Sequence, residues 1–225
     1  TQMNRRTALT TLAAGPWVLA SSWEGTSWGK PSRPQPVAAI ITEYRNNSHA
    51  DVIVGKILNG FKQDGGPGPA LKLASLYVDQ FPKNDMSRDL ARKHDFRITS
   101  TIEEAITLGS KQIQVAGVLS IGEHGNYPFT ADTRQHKYPR RRFFDEITAT
   151  FRKCGSVAPL FNDKHLAYNW ADAKHMYDTA LKMKIPFMAG SSIPVNYRNP
   201  EVEFPWGGRT RHGLVVAPGK LDSYG

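Results

Sequence analysis

Val115-Ala-Gly-Val-Leu-Ser-Ile121 is an almost unbroken apolar run that ends in the polar turn Gly122-Glu123-His124-Gly125. A second run, Val157-Ala-Pro-Leu-Phe161, ends in Asn162-Asp163-Lys164-His165. Runs of this length and composition are typical of strands that are buried on both faces of a parallel sheet. Open α/β sheets bind their ligands at the carboxyl ends of such strands. We therefore expect the polar residues that follow the two runs to line a binding site.

The chain between residues 37 and 192 alternates strand and helix patterns. The predicted strands span residues 36–41, 71–78, 96–98, 115–121, 157–161 and 185–190. The predicted helices span residues 49–61, 87–94, 102–108, 140–154 and 170–182. Ser48 is a good N-cap, Thr101-Ile-Glu-Glu104 is a capping box, and Gly155 suits a helix end. This alternation implies right-handed crossovers, and so it predicts an α/β fold with a doubly wound, mostly parallel, Rossmann-like sheet.

The composition is that of an ordinary globular domain, with 225 residues, of which 40% are hydrophobic and 22% are charged. Cys154 is the only cysteine, which excludes an intramolecular disulfide and a zinc site made of cysteines. The net charge is +9, but the sequence contains no zinc-finger spacing, RNP-type aromatic motif or basic heptad array. We therefore expect no nucleic acid partner. The basic run Arg140–Arg142 favours an anionic ligand nearby, such as a phosphate.

The first 36 residues predict an export signal followed by a linker. Arg5 and Arg6 precede a short apolar stretch, residues 12–20, which ends in small residues suited to signal peptidase. The stretch is too short to span a bilayer, so no stable membrane span is expected. The paired arginines resemble a twin-arginine signal, which predicts export to the periplasm or another extracytoplasmic compartment.

Residues 193–225 interrupt the alternating pattern and are rich in proline and glycine. We expect them to be an extension that begins a second, truncated domain. The loss of such a domain would expose apolar sheet surface, which favours a homo-oligomer.

The order of elements resembles the N-terminal half of the Gfo/Idh/MocA family of NAD(P)-dependent sugar and inositol oxidoreductases. Several short motifs carry the resemblance. They are Thr101-Ile-Glu-Glu104-Ala105, the turn after residue 121, Asp163-Lys164-His165 at the family's Glu-Lys-Pro position, the helix with Ala171, Met176 and Ala180, and Met188-Ala189-Gly190.

The resemblance implies an oxidoreductase that moves a hydride between a nicotinamide cofactor and a sugar or polyol. In that interpretation Lys164 assists proton transfer and His165 relays the proton. The cofactor contacts would come from Glu43 and Tyr44 in the first turn, from Asp79 at the adenosine ribose, and from Gly122, Glu123 and His124. An acidic residue at position 79 favours NAD over NADP.

The first turn, Thr42-Glu-Tyr-Arg-Asn-Asn-Ser48, departs from the family pattern because it has no glycine. Glycines allow the backbone to approach a pyrophosphate, and Glu43 would place a carboxylate there instead. The alternative is a Rossmann-like scaffold that has lost dinucleotide binding. It would serve as a binding module or as a metal-assisted hydrolase or lyase, with a divalent metal or acid/base pair held by Glu43, Glu123, His124, Asp163 and His165.

Overall fold

The computed structural model describes residues 33–191, so the predicted signal and the extension beyond residue 191 lie outside the described residues. The strands are β1 (Gln35–Ile41), β2 (Leu71–Val78), β3 (Arg97–Thr99), β4 (Gly117–Ile121), β5 (Leu160–Asp163) and β6 (Phe187–Gly190). The helices are α1 (His49–Asn59), α2 (Ser87–His94), α3 (Ile102–Thr107), α4 (Arg140–Cys154) and α5 (Trp170–Lys182).

All six strands are parallel and lie in the order β3-β2-β1-β4-β5-β6. This order is that of a doubly wound dinucleotide-binding sheet, in which the winding reverses between β1 and β4. The predicted fold class is therefore confirmed. The reversal leaves a crevice at the carboxyl ends of β1 and β4, because the two connections leave these ends in opposite directions.

Two apolar cores lie on opposite faces of the sheet, because alternate side chains of each strand point to opposite faces. Ala38 and Ile40 of β1 lie in the core that includes Phe143 and Phe144 of α4, and α3 and α5 contribute to the same core. The intervening residues of β1 lie in the second core with Val54 of α1 and part of α2. Since β1 has helices over both faces, its unbroken apolar sequence is explained.

The caps predicted at Ser48 and Gly155 are confirmed, and the capping box is confirmed in part, because Thr101 caps α3 while the Glu104 carboxylate accepts from Ser100. The Ser48 hydroxyl accepts from the N–H of Asp51, and the Thr101 hydroxyl accepts from the N–H of Glu104. Gly155 ends α4 in the left-handed conformation, as the helix-end prediction requires. Local polar residues therefore fix where these helices begin and end.

The prediction for the fifth strand is wrong in its boundaries. The strand begins at Leu160 rather than at residue 157, and it extends to Asp163, which pairs with Gly190. Polar residues are tolerated in its last positions because they have partners. The Asn162 amide, for example, donates to the carbonyl oxygens of Asp163 and His165. Asp163 is therefore a strand residue, and the turn begins at Lys164.

A shallow apolar groove runs across one face of the sheet and includes Val37, Leu119, Phe161 and Met188. The Met188 side chain is 63% exposed there. Exposed apolar surface of this kind commonly contacts another segment or chain. The homo-oligomer nevertheless stays a prediction, to be checked by light scattering. Within residues 33–191, no helix combines the length and the apolar composition that crossing a membrane requires.

Candidate functional site

Polar side chains from β1, β4, β5 and the first turn of α4 converge at the carboxyl edge of the sheet, beside the reversal of winding. The Thr42 hydroxyl, directly after β1, donates to the carbonyl oxygen of Glu123, two residues after β4. The Gln80 amide makes two hydrogen bonds to the backbone of Asn126, at 2.8 and 3.1 Å. These contacts hold the loop that carries Glu123 and His124 against the strand ends.

Glu123 is the centre of a buried ion cluster. One carboxylate oxygen accepts from the guanidinium of Arg140, and the other lies 3.1 Å from Nζ of Lys164. The Arg140 side chain is only 2% exposed, and its Nε has no hydrogen-bond partner among the described residues. Burial lowers the pKa of Arg140 to about 10. The cluster therefore brings two cations to one carboxylate in a place with little water.

Gly122 allows this cluster to form. A Cβ at that position would lie 2.8 Å from Cγ of Arg140 and 3.4 Å from its Cα. The start of α4 thus packs directly on the backbone that follows β4. The sequence placed Gly122 among the cofactor contacts, whereas in the structure it makes room for an arginine.

The most buried carboxylate of the site is that of Asp163. It has no exposed surface, and its Oδ2 lies 2.6 Å from Nδ1 of His49. Its other oxygen, Oδ1, has no hydrogen-bond partner within residues 33–191. His49 is the first residue of α1, and it was not among the site residues predicted from the sequence. Its position at the first helical turn after β1 was the available signal, because that turn faces the carboxyl edge of the sheet.

His124 lies beside His49, with the two ring centroids 5.1 Å apart and the rings nearly perpendicular. Its Nε2 is buried without a partner among the described residues. Burial lowers the pKa of His124 to about 4, and the neighbouring His49 and Arg45 act in the same direction. His124 is therefore neutral at physiological pH. Its backbone has a positive φ of 70°, a conformation that costs free energy in most residues.

His165 lies on the other side of the cluster. Its Nε2 is 3.3 Å from Nη1 of Arg140, and since a guanidinium only donates, this nitrogen is the acceptor. Burial and the charge of Arg140 both lower the pKa of His165. Lys164, the neighbouring residue, has a positive φ of 63°, and its N–H donates to the carbonyl oxygen of Gly190. The structure thus brings Lys164, His165, Glu123 and Asp163 together, as the sequence predicted for strand-end residues.

The first turn after β1 is closed by its own residues. Glu43 is buried and accepts from Nε of Arg45 at 2.6 Å. The Ser48 hydroxyl accepts from the Arg45 N–H, and the Asp51 carboxylate accepts from the Asn47 N–H. The backbone donors that a glycine-rich turn offers to a pyrophosphate are therefore partly used within the turn. Glu43 and Asp51 also place two carboxylates close to this turn.

Tyr44 does not face the crevice. Its side chain has no exposed surface and packs in the apolar core beneath α1 and α2, and burial raises the pKa of its hydroxyl. A ring of this size is drawn into the core because burying it removes a large apolar area from water. In this structure the side chain is not accessible to a ligand, contrary to the expectation that it contacts a cofactor.

Asp79 directly follows β2, where the sequence analysis placed it, but its carboxylate already has three protein donors. Oδ1 accepts from the Tyr77 hydroxyl at 2.8 Å and from Arg142 at 2.6 Å, and Oδ2 accepts from the Tyr127 hydroxyl at 2.6 Å. Burial opposes ionisation of Asp79, but these three hydrogen bonds outweigh it, so that its pKa is lowered. A ribose would have to share this carboxylate with the loop that carries Tyr127.

The metal alternative is not supported by the geometry. Within residues 33–191, no group of three or more histidine, cysteine, aspartate or glutamate side chains is placed to hold a metal ion. The reason is that each carboxylate has a cationic or histidine partner. Glu43 pairs with Arg45, Glu123 with Arg140 and Lys164, and Asp163 with His49.

Comparison with known proteins gives similarity of fold. The sequence matches no protein-family model, and no curated protein matches it. Among solved structures, this chain is similar to biliverdin reductase in complex with biliverdin and NADP+ from Synechocystis sp. PCC 6803, with a TM-score of 0.42 and 12% identity. It is also similar to an NAD binding oxidoreductase from Klebsiella pneumoniae (0.42, 16%) and to myo-inositol 2-dehydrogenase from Lactobacillus plantarum (0.45, 10%).

The three alignments cover 69%, 69% and 70% of this chain but only 37%, 34% and 36% of the other chains. This chain therefore spans about a third of the length of the structures it resembles. At these identities and scores the likeness describes the fold and carries no conclusion about activity.

Proposed function

We propose that this chain is the cofactor-binding part of an oxidoreductase that moves a hydride between a nicotinamide cofactor and a sugar or polyol. The observation that carries the proposal is the cluster of Glu123, Arg140 and Lys164 at the reversal of a β3-β2-β1-β4-β5-β6 sheet. Such a sheet binds dinucleotides at this place. The resemblance of the Asp163-Lys164-His165 motif to that of the Gfo/Idh/MocA oxidoreductases supports the same proposal.

The residues fit one half of such a cofactor better than the other. The nicotinamide half would lie over the ends of β4 and β5, where Lys164 and Glu123 offer a donor and an acceptor to hydroxyl groups. The pyrophosphate half would lie at the first turn, whose donors are partly used internally and where Glu43 repels anions. Binding of a complete dinucleotide would therefore need the Arg45–Glu43 pair to open. Arg45 would then face the phosphates.

The cofactor, when bound, supplies the hydride acceptor or donor. The residues of this chain supply orientation and charge. The Lys164 ammonium is placed to donate a hydrogen bond to a substrate hydroxyl or carbonyl oxygen. Glu123 holds that ammonium in position as its ion-pair partner, and the buried Arg140 guanidinium fixes the same carboxylate.

The proposal is tested by nucleotide retention and binding. The purified chain is denatured, and the supernatant is examined for a nicotinamide nucleotide by absorbance and mass spectrometry. NADH is titrated into the folded chain while its fluorescence is followed. Saturable binding is expected, and the absence of both signals would refute the proposal.

A pair of lysine variants tests the role of the cluster. Lys164→Ala is expected to abolish NAD+-dependent oxidation of myo-inositol or other polyols while the circular dichroism spectrum stays unchanged. Lys174→Ala is the control, because Lys174 forms only an exposed pair with Asp178 on α5. Equal turnover of the two variants would remove Lys164 from the mechanism.

A second candidate function is favoured by the closed first turn. In this candidate the sheet is a Rossmann-like scaffold that binds a small, non-nucleotide ligand in the same crevice. The binding test separates the two candidates, since a chain that binds polyols in calorimetry but shows no NADH response supports the scaffold alone.

We also propose that the chain is exported by the twin-arginine route. The support is the sequence of residues 1–36 alone. The test is a double variant, Arg5→Lys with Arg6→Lys, fused to a reporter that functions only outside the cytoplasm. Loss of the reporter signal is expected, and an unchanged signal would contradict this route.

A further inference from the structure

Three histidines of residues 33–191 lie in the crevice, and only one of these three has the environment of a proton acceptor. His165 uses Nε2 to accept from Arg140. His124 has its Nε2 buried without a partner among the described residues, and burial lowers its pKa to about 4. His49 is different, because it has a carboxylate on Nδ1 and a side chain that is 16% exposed.

We propose that His49 and Asp163 form a proton-transfer dyad in which Asp163 orients the ring and His49 exchanges the proton with substrate. Asp163 is fully buried and acceptor-only when ionised, so that the 2.6 Å contact places a proton on Nδ1 of His49. In the neutral ring the lone pair is then on Nε2, which is the nitrogen that can accept a proton. The same logic fixes the tautomer of general-base histidines elsewhere, where a carboxylate stabilises the imidazolium that forms.

The surroundings of the dyad agree with this role. The Asp163 Oδ1 is buried without a hydrogen-bond partner in residues 33–191, and Oδ2 makes the hydrogen bond to His49. The charged or titratable groups around the pair are His124, beside the His49 ring, Arg140 and His165, near Asp163, and Arg45 and Lys164, near His124.

The dyad rests on the proposed function, for which it names the proton acceptor. In the oxidation of a carbinol, the hydroxyl proton passes to Nε2 of His49. The hydride leaves the carbon with its electron pair to the oxidised nicotinamide cofactor, and a carbonyl forms. Lys164 contributes a hydrogen bond to the same oxygen. The reverse step returns the proton from His49.

The tautomer is measured on the unmodified chain by ¹⁵N NMR of labelled histidine. The expected result is an Nδ1-protonated neutral His49 ring. An Nε2-protonated ring would overturn the proposal. No variant is needed for this measurement, so a folding failure cannot obscure it.

Reactivity is measured with diethyl pyrocarbonate, which acylates the unprotonated ring nitrogen, followed by peptide mapping. His49 is expected to react faster than His175, an exposed histidine on α5 that serves as an internal reference. In Asp163→Asn the rate at His49 should fall about tenfold or more, because the amide can donate to Nδ1 and turn the lone pair away from the crevice. The rate at His175 should not change. Equal rates at His49 in both chains would overturn the proposal.

A kinetic readout separates a catalytic from a merely structural pair. With NAD+ and a polyol as probes, His49→Gln is expected to lower kcat about 10²–10⁴-fold. The dissociation constant of NADH should stay the same. An unchanged kcat would overturn the dyad alone, whereas failure of NADH to bind the wild-type chain would refute the proposed function.

Discussion

Replacing Glu123 by glutamine removes the only carboxylate that the described residues give to the buried guanidinium of Arg140 in an ion pair. The Arg140 side chain is 2% exposed, so it cannot recover its hydration when the negative charge is lost. Removing one partner of a buried ion pair costs about 3–5 kcal/mol. Lys164 is 22% exposed and can be rehydrated, so the loss of its own ion pair with Glu123 should cost less than about 1 kcal/mol. We expect Glu123→Gln to lower the free energy of unfolding by about 3–5 kcal/mol.

The assay is urea denaturation, followed by circular dichroism at pH 7. In a domain of this size the expected loss lowers Tm by roughly 6–20 °C. The matched control is Glu103→Gln, which makes the same chemical change in an exposed pair with Lys153 and should leave the free energy of unfolding nearly unchanged. A double variant, Glu123→Gln with Arg140→Met, should recover much of the loss, because no buried charge is then left unpaired. Equal effects of the two single variants would refute the argument from burial.

The remaining predictions concern the backbone and the pH dependence. Gly122→Ala should destabilise the chain by about 1–3 kcal/mol, since the new methyl group overlaps Arg140, whereas Gly190→Ala meets nothing within 4 Å and should be nearly neutral. Denaturation of both variants checks this, and equal stabilities would contradict the close packing. His124 has a lowered pKa of about 4, so the unfolded chain binds more protons between about pH 4 and 6.5 and stability falls as the pH falls through that window. After allowance for solvent screening, the loss is on the order of 1–2 kcal/mol. His124→Asn, which tolerates the positive φ, should flatten that slope, and an unchanged slope would contradict the assignment.

Local features of the sequence were sufficient for much of the fold. The alternation of apolar runs with amphipathic segments predicted every helix and strand of residues 33–191 to within three residues at most ends. The capping residues gave the helix ends, because a cap acts on donors only two or three residues away. The convergence of Glu123, Asp163 and Lys164 followed from parallel strands, whose carboxyl ends must lie at one edge. The end of β5 was missed because its last residue, the polar Asp163, is stabilised by distant partners, the His49 side chain and the Gly190 backbone.

What the sequence determined by itself was the kind of element at each position and the edge of the sheet where polar residues meet. The tertiary structure alone decided which of these residues contact each other. The pairing of His49 with Asp163 joins positions that are 114 residues apart. The Asp79 carboxylate accepts hydrogen bonds from three donors that lie on separate elements. Tyr44 packs in the core rather than facing the crevice. The physical reason is that hydrogen-bond pairing and burial depend on distances set by the whole sheet, whereas periodicity and capping depend on neighbours within a few residues.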